Sequence, residues 1–81
     1  MNNTKLITKS FYLSNKIKCK YWVNNKGWKH GKYVKYNTSV NPNNIINHYI
    51  NNITNYINNK EYGLETYYNE KHQIVEVYYH L

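Results

Sequence analysis

Lys16, Lys18 and Lys20 stand at every second position of the segment KIKCKYWV, with Ile17, Cys19, Tyr21 and Val23 in alternation with them. On an extended chain this spacing puts three amines and Trp22 on one side and the apolar residues on the other. A row of ammonium groups beside an aromatic ring suits electrostatic contact with phosphates and stacking on unpaired bases. The following segment WKHGKYVKY adds Lys29, Tyr33 and Lys35 if Val23 lies opposite Trp28 across a four-residue loop. The candidate nucleic-acid-binding set is therefore Lys16, Lys18, Lys20, Trp22, Lys29, Tyr33 and Lys35. The plainer alternative is a solvated strand face whose lysines guard a sheet edge, or pair with Glu65 and Glu76 in the same sheet.

The charges are segregated along the chain. Nine of the eleven lysines fall in the first forty residues, while the four acids, Glu61, Glu65, Glu70 and Glu76, all follow residue 60. With a net charge of +7, the N-terminal half points to an anionic partner, DNA or RNA. Arginine is absent, which removes the usual bidentate reader of guanine. Binding is therefore expected to address backbone, shape or unpaired bases with low sequence specificity.

Nothing in the chain assembles a catalytic set. His30, His48, His72 and His80 share no spacing of a known acid–base pair, although His30 lies nearest the lysines. No histidine pair has the i, i+4 spacing of a metal site, and the single Cys19 excludes both an intrachain disulfide and a cysteine-based zinc site. The protein is read as non-enzymatic, with no catalytic residues, no metal, no cofactor and no small-molecule substrate; the minor alternative is a small RNase with His30, near Lys29, Lys32 and Tyr33, as its acid–base group. Cys19 reads as a small buried hydrophobe.

Asn (16), Lys (11), Tyr (11) and Ile (8) supply 46 of 81 residues, a bias that AT-rich coding produces by itself. Such coding in a short basic chain suits a small accessory protein of a virus or mobile element. No basic leader precedes an apolar segment and no apolar run reaches membrane-spanning length, so an intracellular setting is expected, in the cytoplasm of the host or producing cell, with no membrane partner.

Strands are expected over 4–13, 16–23 and 28–36, with a turn at Asn24–Gly27. Gly31 offers a bulge in the third strand, which would flip the parity of Tyr33 and Lys35 relative to Lys16–Trp22. Residues 42–59 carry the strongest periodicity. Asn41 suits an N-cap and Pro42 a first helical position, and Ile45, Ile46, Tyr49, Ile50, Ile53, Tyr56 and Ile57 fall within an arc of roughly 140° at 100° per residue. A second hairpin is expected over 63–81, turning at Asn69–His72. The expected fold class is thus α+β: one domain over 1–81, a small antiparallel sheet in the order β-β-β-α-β-β, and one amphipathic helix packed on one face. Tyr67, Ile74 and Tyr78 with Trp22 give a second reading, a protein–protein module such as a homodimer or a viral factor that binds a host or competitor protein.

Overall fold

Tight turns led by asparagine fold this chain into an antiparallel meander. The structure, a computed structural model, describes residues 4–11 and 16–81. Its strands are β1 (Lys5–Ser10), β2 (Ile17–Val23), β3 (Lys29–Val40), β4 (Ile46–Ile57), β5 (Lys60–Glu61), β6 (Gly63–Tyr68) and β7 (Ile74–His80). All seven join one sheet in the order β1-β2-β3-β4-β6-β7, with β5 pairing the end of β4 beyond β6. The expected extension of the first strand through residue 13 lies outside the described residues.

Three of the turns are built alike. Asn24, Asn41 and Asn69 each accept two backbone N–H bonds on Oδ1, from the residues two and four positions later, at 2.9–3.1 Å. Each loop then closes through a left-handed residue: Gly27 (φ 79°), Asn44 (φ 61°) and His72 (φ 65°). This is the three-residue hairpin loop in which a type I turn is followed by an αL position, with an Asx turn added. A further turn, Asn58-Asn59, has φ values of 49° and 70°, the left-handed pair that a type I′ hairpin requires.

The α+β expectation is overturned: the chain is all-β, and no helix occurs among the described residues. The segment predicted as a helix is the twelve-residue strand β4. Two physical features account for the reversal. An Asx turn at Asn41 begins a helix or a hairpin loop with the same local bonds. The stripe of isoleucines also fits a bulged strand. Val34 lies opposite Ile53 and Tyr36 opposite Ile50, so Asn51 is an extra residue in β4. Ile46, Ile50, Ile53 and Ile57, spaced 4, 3 and 4 apart, therefore share one sheet face, while Tyr49 and Tyr56 turn to the other. With several asparagines in the segment, the helix has little intrinsic support, and pairing with β3 and β6 wins.

No element covers the sheet among the described residues. Its extents are 47 × 29 × 17 Å, the dimensions of one twisted layer. The buried side chains are Cys19 and Val34, with Asn52 and Thr54 as buried polar residues, all on the central strands β2, β3 and β4. Cys19, the expected small buried hydrophobe, occupies the middle of β2. Among the described residues, no helix is long and apolar enough to cross a membrane.

Candidate nucleic-acid interface

Register decides which side chains share a face. One row runs Lys9–Cys19–Lys35–Asn52–Tyr67–Glu76 across six strands. A parallel row holds Ile7, Tyr21, Tyr33 and Thr54. These rows make the lysine–tyrosine face. The row Thr8–Lys20–Val34–Ile53–Thr66–Val77 belongs to the opposite, apolar face.

The hairpin of β2 and β3 does not keep the register that its loop length suggests. Val23 pairs with Lys29 and Tyr21 with Tyr33, so Trp22 alone opposes His30, Gly31 and Lys32. Gly31 takes φ 107°, a conformation L side chains rarely adopt, and this irregularity shifts every later pair. The sequence-derived set is divided as a result. Lys29, Tyr33 and Lys35 stand on the lysine–tyrosine face, and Lys20 and Trp22 on the other. Lys18 is the extra residue of a bulge between Ile17 and Cys19, where alternation breaks, and it lines a hollow with Cys19, Tyr33 and Lys35. Lys16 is exposed at the entry to β2.

The first group acquires partners that the sequence pattern does not single out. Tyr21 and Tyr33 stack with centroids 4.8 Å apart and planes 3° from parallel, and Tyr56 lies 5.8 Å from Tyr33. The ammonium of Lys29 sits over all three rings, at 5.7 Å from Tyr21, 4.9 Å from Tyr33 and 5.2 Å from Tyr56. Lys9 flanks Tyr21 at 5.9 Å and Lys35 flanks Tyr33 at 5.6 Å. All three tyrosines are half-buried. Burial, reinforced by the hydrogen bond with Cys19, raises the Tyr33 phenol far above its ordinary value, so it stays neutral. Burial also raises Tyr56, aided by the charges of Glu61 and Glu65. Alternation alone assigns Tyr21 to a core; its pairing with Tyr33 follows only from the register set by the β3 bulge.

The acids are occupied elsewhere. Glu65 Oε2 accepts hydrogen bonds from Thr54 (3.0 Å), Tyr67 (3.0 Å) and Asn52 (3.4 Å), and Oε1 lies 2.9 Å from His80 Nε2. Burial by itself would raise this carboxyl, but the bonds from His80, Thr54 and Tyr67 outweigh it and hold Glu65 below its ordinary value. Glu70 accepts from Ser39 at 2.7 Å, and Glu76 from the Tyr78 hydroxyl. Among the described residues the ion pairs are those of His80 with Glu61 and Glu65, so Lys9, Lys29 and Lys35 have no carboxylate paired with them there.

The histidines sit on separate elements. His48 reaches the Ile17 carbonyl at 2.7 Å, His72 occupies a turn, and the Nδ1 of His30 is buried with no hydrogen-bond partner. Glu61, Glu65 and His80 bring one ligand atom each to within 4.8 Å of one another, a donor set able to hold a divalent cation that no spacing in the sequence suggests. No family model, curated protein or solved structure matches this chain.

Proposed function

We propose that this protein binds single-stranded nucleic acid without catalysis and with low sequence specificity, through Tyr21, Tyr33 and Tyr56 together with Lys9, Lys29 and Lys35. The observation that carries this reading is the Lys29 ammonium set among three half-buried tyrosine rings and flanked by two more lysines. Rings on an open sheet face offer stacking surface to bases, which a duplex keeps paired. The ammonium groups supply the phosphate contacts, and the absence of Arg leaves guanine without its usual reader. The N-terminal excess of lysine and the AT-rich residue usage fit an accessory protein of a virus or mobile element acting in the cytoplasm of its host.

Fluorescence anisotropy with labelled single-stranded DNA, single-stranded RNA and duplex tests the proposal. The wild-type protein should prefer single strands, with an affinity that falls steeply as salt rises. Lys29→Gln and Tyr33→Ala should each weaken binding, whereas Lys20→Gln with Lys32→Gln should do so less. Binding lost only in the Lys20/Lys32 pair or in Trp22→Ala would move the site to the opposite face. A wild-type protein without salt-dependent binding would reject the reading.

A further inference from the structure

We infer that two copies of this chain pack face to face through the apolar side of the sheet, forming a two-layer sandwich. A sheet buries its apolar face against another layer, and this chain supplies no such layer among its described residues. What remains open is not a scatter of single side chains. Leu6, Trp22, Leu64, Val77 and Tyr79 are each 40–65% exposed and stand on the face defined by Val34 and Ile53. Leu6, Trp22, Val34 and Ile53 line a shallow depression together with the stems of Lys20 and Lys32.

The occupant is a second copy for two reasons. The sheet's 47 by 29 Å outline presents on the order of 1,000 Å² per face, above the roughly 800 Å² per partner of a standard stable interface. The charge pattern is also self-complementary under one symmetry operation. Lys20 and Lys32 lie on this face of β2 and β3, while β6 and β7 present Leu64, Thr66, Val77 and Tyr79 and no charge, with Lys60, opposite Ile57 on β5, at the end of that half. A two-fold axis lying in the interface along the strands carries the β2–β3 half of one copy over the β6–β7 half of its partner. Lys20 and Lys32 then lie over the uncharged residues of β6 and β7, with their stems on apolar groups and their amines reaching the rim. The same operation keeps the two strand directions aligned, as stacked sheets prefer. A two-fold axis across the strands would instead set lysine against lysine.

The dimer stands on the apolar face alone. One consequence rests on the proposed nucleic-acid reading: both lysine–tyrosine faces would point outward, on opposite sides of the sandwich.

Sedimentation velocity and thermal unfolding of the wild-type protein, from about 1 to about 100 μM, test the dimer directly, because a species that binds only the folded state makes Tm rise with concentration. Val77→Lys, at an exposed site of the single chain, should weaken the dimer at least about tenfold by placing a charge over the partner's lysines. If that variant fails to fold, a second readout decides. In a Trp28→Phe protein, acrylamide quenching of Trp22 should fall as concentration rises. A wild-type chain that stays monomeric with a concentration-independent Tm would overturn the inference. So would a dimer in which Trp22 remains as accessible as in the monomer, which would indicate pairing through the β7 edge instead. Oligonucleotide binding by a monomer would leave the proposed function intact while rejecting the sandwich.

Discussion

Tyr21 and Tyr33 lie directly opposite each other on β2 and β3, with their rings parallel to within 3°. The pairing exists because Trp22 absorbs three residues of β3, so the aromatic pair depends on an irregularity as much as on alternation. Stacking on a base is typically worth about 1–3 kcal/mol by alanine substitution. Tyr33→Ala should therefore lower single-strand affinity by that order. Tyr33→Phe should retain most of it, since the ring and not the hydroxyl supplies the surface. An anisotropy titration in which Phe loses as much as Ala would assign the role to the hydroxyl and its contact with Cys19.

Lys9, Lys29 and Lys35 should together dominate the salt dependence. Removing one ammonium–phosphate interaction should flatten the slope of log affinity against log salt by about 0.7 on single strands. The triple change to Gln should thus reduce the slope by roughly 2 while leaving the fold intact. A slope equal to that of the wild-type protein would remove these lysines from the interface.

Glu65 predicts how stability responds to acid. Its carboxyl is held below the ordinary value of 4.5 in the folded chain by His80, Thr54 and Tyr67, against the opposing effect of burial. A depressed folded-state pKa means that the stabilisation is complete above 4.5 and is lost as pH falls through the folded value. Urea midpoints should therefore decline below about pH 4.5. Glu65→Gln should lower the midpoint at neutral pH and flatten that acid-side decline. An unchanged pH profile in the variant would show that another group controls the acid response.

The strands β2, β3 and β7 are legible in the sequence because their alternation and the intervening turn residues agree. Asn24-Asn25-Lys26-Gly27 and Asn69–His72 are turns as their residue types require. The segment 46–57 reads as a helix for a physical reason. The bulge at Asn51 lets isoleucines at helical spacing meet on one sheet face, and a single sequence does not distinguish the two solutions by periodicity. The candidate site is half legible. Lys29, Tyr33 and Lys35 share a face, but Lys20 and Trp22 do not join them: the glycine at 31 signals a bulge that flips the parity beyond it, while alternation by itself does not say whether the bulge forms. Thr54 and Asn52 give no signal as hydrogen-bond partners of Glu65, since a helix over this segment places both on its solvated side.

Asn59 offers a test of how the hairpin tip supports the site. It occupies the second left-handed position of its turn, with φ 70°. Its backbone N–H donates to the Lys29 carbonyl at 2.9 Å, and its Oδ1 accepts from the Lys29 N–H at 2.7 Å. Asn59 therefore fixes the residue whose ammonium caps the tyrosine triad. Asn59→Gly keeps the backbone conformation and removes the side-chain bond, at a cost of about 0.5–1.5 kcal/mol. Asn59→Ala loses the same bond and adds about 1–2 kcal/mol for holding an L side chain at positive φ. Urea unfolding should accordingly rank the wild-type protein above the Gly variant and Gly above Ala. Both variants should also bind single strands more weakly, because the start of β3 is less firmly held. An Ala variant as stable as Gly would show that the turn relaxes out of its left-handed conformation, and then the link from Asn59 to Lys29 would not govern the site.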